Sequence, residues 1–341
     1  MKQWWWKILA AALALGASIV ALRTPLAPAI VHAGPASLQP GERHEVIFMG
    51  YRTMFAPGHI DAYLENGGQF IPAGRVDVID ATHARMHVFV PKGLREDMTD
   101  LIVIAQGAGS MRLTDAFHNP QKGFGAEENA QSTVPRAQRT GFAFPNRSLL
   151  HESIRNLNFH VPMWFTMMML QTVSLVFSIR VLRSGAELHD RGAAAAVKVS
   201  LLFAAMGLIT GSIWARATWG GWWTSDAKLN GAAVTTLIYL AYLVLRGSVT
   251  DHAKRARLSA IYNVFAYVLM LLFIMALPRM TASLHPGSGG NPAFSQYDLD
   301  DSLRPVFYAA VLGWMGIGAW LLNLRYRLAR IEIHQEDARI R

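Results

Sequence analysis

Trp219-Gly220-Gly221-Trp222-Trp223-Thr224-Ser225-Asp226-Ala227-Lys228-Leu229-Asn230 sets three tryptophans and an aspartate on one short segment between two apolar runs. Each indole joins a large apolar face to a single N–H donor, so one alone would serve as a membrane-interface anchor, whereas three together can form a flat aromatic platform. Two histidines stand beside other apolar runs, in Asn158-Phe159-His160-Val161-Pro162 and in Ala282-Ser283-Leu284-His285-Pro286-Gly287. A neutral imidazole next to apolar walls is a natural axial ligand for heme iron, because its nitrogen binds the metal and its surroundings favour the porphyrin. Either histidine alone reads as an ordinary interfacial residue. A pair flanking one aromatic segment points to a bound heme.

The elements that must position these residues are membrane helices. The chain has 341 residues, 52% hydrophobic and 16% charged, with a mean hydropathy of +0.22, which lies outside the usual soluble range. Cysteine is absent, so disulfides and thiolate metal sites are excluded. The net charge of +9 does not mark a nucleic-acid binder, because the basic residues gather at the ends of apolar runs. Six runs approach the ~20 residues needed to cross a bilayer: Trp4 to Leu22, Val161 to Ile179, Val197 to Trp214, Ala232 to Leu245, Ala260 to Leu277 and Val306 to Leu324. Arg180, Arg183 and Arg191 follow the second run, Arg246, Lys254, Arg255 and Arg257 the fourth, and Arg325, Arg327, Arg330, Arg339 and Arg341 the sixth. The positive-inside rule then places both termini in the cytoplasm. The tryptophan segment, His160 and His285 face outward together.

The basic, apolar N-terminus followed by Val31-His32-Ala33 also fits a cleavable secretory signal, but its apolar run exceeds the ~7 to 15 residues of a signal core, so retention as a helix is expected. From Pro35 to Leu113 the pattern changes to short runs such as His44-Glu45-Val46-Ile47-Phe48-Met49 and Ala84-Arg85-Met86-His87-Val88-Phe89-Val90, separated by Gly and Pro turns. This predicts an antiparallel sandwich similar to the small immunoglobulin-like domains of bacterial surface proteins. Asn119 to Leu149, rich in Gly, Gln, Asn and Pro, reads as a flexible tether. His44, His59, His83, His87 and His118 of the insert read as surface or partly packed side chains rather than metal ligands, since a spacing of four in a strand gives one face at long separation.

The expected fold is therefore an all-α polytopic membrane protein of six transmembrane helices, with an immunoglobulin-like β-sandwich inserted in the first periplasmic loop. Its parts are a first helix within residues 1–33, a β domain at 35–118, a linker at 119–153, a five-helix membrane domain at 154–330 containing the 214–230 loop, and a cytoplasmic tail at 331–341.

The stretch from Trp214 to Leu229 resembles the WWD domain of the heme-handling proteins of cytochrome c biogenesis, and His160-Val161-Pro162 and Leu284-His285-Pro286 resemble the two external histidines that flank it. Six spans with both termini inside match the CcmC branch of that family. The resemblance covers about Arg155 to Arg330 and the first span, and excludes the β insert. The family pattern W-G-x-W-W-x-W-D-x-x-L-T is departed from at Ser225 and Asn230, while Trp219, Trp222, Trp223 and Asp226 keep it.

The resemblance implies holding of b-type heme rather than acid–base chemistry, and so a heme-handling protein of the bacterial inner membrane more than an enzyme. Trp219, Trp222 and Trp223 would line the porphyrin face, with Trp214 making good the missing indole at 225, and His160 and His285 would ligate iron from opposite sides. Arg216, Lys228 and Arg279 are candidate propionate partners. Asp226 orients Lys228 or an indole N–H, or else caps the fourth helix. The implied partners are heme, the periplasmic heme chaperone CcmE, and the CcmA, CcmB and CcmD membrane subunits; nucleic acid is not among them. A solute transporter would need a polar pathway, for which the spans offer only Gln171, Ser174 and Asn263. A CcsA- or CcmF-like heme lyase would carry further spans and intramembrane histidines, which the six runs lack.

Overall fold

A computed structural model describes residues 4–120, 141–147, 150–281, 283–285 and 299–340. The chain divides into two compact units: Met1–Arg23 with Ser153–Arg341, and Thr24–Glu152. Most of the expected tether, along with Pro286 and Gly287, lies outside the described residues.

The first unit is helical. Helix α1 spans Trp5–Arg23, α2 Leu157–Ser184, α3 Glu187–Trp219, α4 Ala227–Ser248 and α5 His252–Leu271; α5 runs on through a π-helical turn, Leu272–Ala276, into the short α6, Leu277–Met280, and α7 covers Leu303–Ile340. Six stretches are long and apolar enough to cross a membrane, as the hydropathy pattern requires. The chain is a multi-pass membrane protein. Helix α7 extends well past the expected end of the sixth span, and Arg191 at the start of α3 pairs with Glu332 (3.3 Å) and Glu336 on that extension.

In lipid, apolar side chains gain little from packing on one another, so helices associate through small residues and interhelical hydrogen bonds. Both devices are present. The buried face of α1 carries Ala10, Ala14, Ala17 and Ala21 at spacings of three and four, and a Cβ on Gly313 or Gly316 of α7 would strike Ala14 or Ala10 at 2.4 and 2.5 Å. Gln171, Ser174 and Asn263, the polar residues noted in the spans, bond to one another's helices: Asn263 Nδ2 donates to Ser174 Oγ (2.7 Å) and Ser178 Oγ (2.8 Å), Ser174 Oγ donates to the Ala193 carbonyl (3.0 Å), and Gln171 Nε2 donates to Ser200 Oγ. They knit α2 to α3 and α5 rather than line a path.

The second unit holds two four-stranded antiparallel sheets with strand orders β1-β2-β6-β5 and β4-β3-β7-β8. The strands are β1 Ala29–Gly34, β2 Arg43–Tyr51, β3 Ile60–Asn66, β4 Gln69–Pro72, β5 Arg75–Val78, β6 His83–Phe89, β7 Met98–Ala105 and β8 Gly109–His118. Alternation along β2 and β6 turns Val46, Phe48, Met86 and Val88 inward, where they share one core with Leu64, Leu101 and Phe117 of the other sheet. Val31-His32-Ala33 lies within β1, paired with β2, so the β unit begins ahead of the expected Pro35. His83 and His87 share one face of β6, with Asp80 2.9 Å from His83 Nδ1 and Asp77 3.5 Å from His87 Nε2.

Candidate functional site

Helix α3 stops at Trp219 because Gly220 follows it in a left-handed conformation (φ 78°) that glycine adopts without strain. Helix α4 starts where Asp226 accepts the Lys228 (2.9 Å) and Leu229 (3.3 Å) amides on Oδ1. Between these two caps the tryptophan segment makes a short bend. Capping, one of the alternatives open to Asp226 in the sequence, is present in the structure.

His160 differs from expectation in one respect. The reading of the sequence left it outside the second span, at its outer end; it lies inside α2 and is buried. The cause is local: a 3-10 segment, His151–Asn156, feeds directly into α2, so the helix is already under way before the apolar run at Val161 begins. Nδ1 of His160 lies 3.0 Å from the Gly207 carbonyl and 3.2 Å from Thr210 Oγ1. Thr210 already donates its hydroxyl to the Met206 carbonyl (2.8 Å), so Nδ1 acts as donor and Nε2 carries the free lone pair. The imidazole fits only because α3 presents glycines: a Cβ on Gly211 would sit 2.8 Å from His160 Cε1, and one on Gly207 2.7 Å from Trp164 Cε2.

His285 reaches the same place from the far side of the sequence. Its Nδ1 is 2.8 Å from Asp226 Oδ1. Its ring meets Trp219 (5.0 Å between centroids, 70°) and Trp214 (6.2 Å, 89°) edge to face. Trp214 also meets His160 at 5.9 Å, so a single buried indole touches both imidazoles. Trp214 is itself fixed by Nε1 donating to Ser153 Oγ (3.2 Å) and by stacking on Trp219 (6.5 Å, 24°).

Burial pushes the Asp226 carboxyl upward in pKa. The hydrogen bonds from His285 and Ser283, the nearby imidazole charge and the Leu284 amide more than offset that and hold it well below the usual carboxylate range. Ser283 Oγ and the Leu284 amide each reach Oδ2 at 2.7 Å. The carboxylate thus ties the 283–285 segment to the head of α4.

A cavity of about 250 Å³ lies here, walled by His160, His285, Trp164, Trp214 and Trp223, with the aliphatic parts of neighbouring helices completing it. Two of the three candidate cations, Lys228 and Arg279, are at its wall. The third, Arg216, is turned to the Gly220 carbonyl and is not part of the lining. The indoles are also divided. Trp223 lines the cavity with its Nε1 donating to Asn230 Oδ1 (3.1 Å), Trp219 braces Trp214 and His285 from behind, and Trp222 is 62% exposed and outside the lining. The expected flat platform of Trp219, Trp222 and Trp223 is therefore not what the described residues make; the wall is Trp164, Trp214 and Trp223.

Sequence reasoning missed Trp164, Gly207, Gly211 and the π-turn residues Ile274 and Met275, all at the cavity. Trp164 stands four residues after His160 and Gly211 four after Gly207, spacings that share a helix face and could have flagged the first three. The π turn leaves no comparable mark. The donor set suits a heme: two imidazoles at one cavity, aromatic walls, and two cations for carboxylates.

The family model described as "Heme exporter protein C", CcmC, matches residues 134–340, which is more than half of the chain and takes in every residue at the cavity. The chain belongs to the heme exporter protein C family. Relatives under that description include one from Haemophilus influenzae, 26% identical over 144 residues (41% of this chain, 55% of the relative), and one from Bradyrhizobium diazoefficiens, 31% identical over 109 residues (32% and 41%). A cytochrome c biogenesis protein CcsA from Prochlorococcus marinus is 36% identical over 78 residues (23% and 24%). The chain spans about half the length of the heme exporter relatives it matches. The family match begins at residue 134, so the eight strands of the β unit stand outside it.

Proposed function

We propose that this protein holds b-type heme between His160 and His285 at the outer face of a bacterial inner membrane and passes it to a periplasmic heme chaperone, CcmE, during cytochrome c maturation. The observation that carries the reading is the meeting of two histidines from distant segments on one indole, Trp214, at the wall of one cavity. The heme is cargo, and the side chains bind and shield it without taking part in bond-making. A cavity just below the usual range for small-molecule sites encloses part of a large planar ligand and leaves an edge outside. The exposed Trp222 and half-exposed Trp223 cover that edge, and the open edge is where an acceptor takes over. Lys228 and Arg279 receive the propionates.

Orientation with both termini in the cytoplasm is supported by the basic residues, since Arg180, Arg183, Arg246 and Arg255 lie at the helix ends away from the cavity. CcmA, CcmB and CcmD are the expected membrane partners. The β unit reads as an immunoglobulin-like module that docks the chaperone or an apocytochrome.

The test is a visible spectrum of the detergent-purified protein. A bis-imidazole spectrum that disappears in the His160→Ala, His285→Ala double variant supports the reading, and a double variant with an unchanged heme spectrum refutes it. The likeness to CcsA favours one second reading, a heme lyase. Heme found covalently joined to an apocytochrome by this protein alone would establish it.

A further inference from the structure

We propose that Asp226 is a positioning residue for His285, fixing which imidazole nitrogen faces the cavity and strengthening it as a ligand, an inference that rests on the heme reading above. Three observations converge. Asp226 Oδ1 is 2.8 Å from His285 Nδ1. Its other oxygen accepts Ser283 Oγ and the Leu284 amide, so the carboxylate holds the backbone of the segment as well as the ring. Trp219 and Trp214 stand at 70° and 89° to the imidazole, which leaves the ring little room to turn.

A carboxylate facing Nδ1 selects the Nδ1–H tautomer and leaves the lone pair on Nε2. It also makes the imidazole a stronger donor, as carboxylate–histidine–metal arrangements do. His160 has no such partner: its Nδ1 faces a neutral carbonyl and a hydroxyl. The two imidazoles are thus unequal, with His285 the more electron-rich. The aspartate of the tryptophan segment acts on the iron through a ligand more than fifty residues further along the chain.

The discriminating variant is Asp226→Asn, because asparagine caps a helix as well as aspartate does and keeps an acceptor oxygen while removing the charge. Heme affinity should fall roughly 10- to 100-fold, and the midpoint potential of the bound iron should move positive. Ser283→Ala, which removes one tether and leaves the carboxylate facing the ring, should leave the potential where it is. In the heme-free protein, 15N shifts of labelled histidine should show His285 as the Nδ1–H tautomer, and a mixture in Asp226→Asn. Wild-type protein that binds heme through both histidines, with affinity and potential unmoved in Asp226→Asn, overturns the proposal alone. Wild-type protein that binds no heme overturns the functional reading, and the 15N measurement then still decides whether Asp226 sets the tautomer.

Discussion

Gly211 stands so close to His160 that a methyl group on it would lie 2.8 Å from Cε1 of the imidazole. Gly211→Ala should therefore push the ring out of place. Overpacking costs about 1 to 3 kcal/mol, and the change from glycine to alanine within a helix returns about 1 kcal/mol, so the fold should persist with Tm lowered by a few degrees. The heme spectrum should lose its bis-imidazole character, which absorption and electron paramagnetic resonance on the purified variant will read. A normal low-spin spectrum would show that His160 is not the ligand held by this contact.

Lys228 and Arg279 should each matter to affinity and not to ligation. A charge-assisted hydrogen bond to a buried acceptor contributes about 1.5 to 3 kcal/mol, so alanine at either position should weaken heme binding by roughly 10- to 100-fold with band positions unchanged. Arg216→Ala, at a residue turned to the Gly220 carbonyl, should change affinity far less. Titration of heme into the three apo variants separates them.

Asp226 should stay ionised in mild acid. The folded pKa of Asp226 lies below its unfolded value of about 3.9, so its contribution is complete above that value and is lost only as pH falls through the lower folded one. An isotope-edited infrared spectrum should therefore show Asp226 still ionised at pH 5. A protonated carboxyl band from Asp226 at pH 5 would contradict this.

Every described residue at the cavity belongs to the helical unit. Replacing residues 24–146 by a flexible bridge should leave the heme spectrum and affinity within about twofold, because none of the described lining is removed. Loss of heme from that variant would assign the β unit a part in binding; loss of transfer alone would support its docking role.

The spans were legible because apolar runs near 20 residues admit few other structures, and the strands because Val46, Phe48, Met86 and Val88 alternate with polar neighbours. Both histidines and the aspartate stood out in the sequence as candidates. Their arrangement did not: Trp214 and His285 meet across 71 positions of sequence, and no local pattern states which indole will turn inward. His160 was misplaced because the span was read from the apolar run that starts at Val161, and the 3-10 lead-in that starts the helix ahead of it has no strong sequence signal.

The π turn at Leu272–Ala276 carries one more consequence. It takes up an extra residue, and from it Ile274 and Met275 face the cavity, while Gly231 of α4 lets the Phe273 carbonyl come close, with a Cβ there only 2.3 Å from that oxygen. Deleting a single residue within Leu272–Ala276 would restore ordinary helix and, because the turn already absorbs that residue, leave Arg279 and the approach to His285 on nearly the same bearing. What would change is the wall itself, since Ile274, Met275 and the Phe273 carbonyl beside Gly231 hold their places through the wider turn, so its length tunes the fit of α5 against α4 without moving the ligand that lies beyond it.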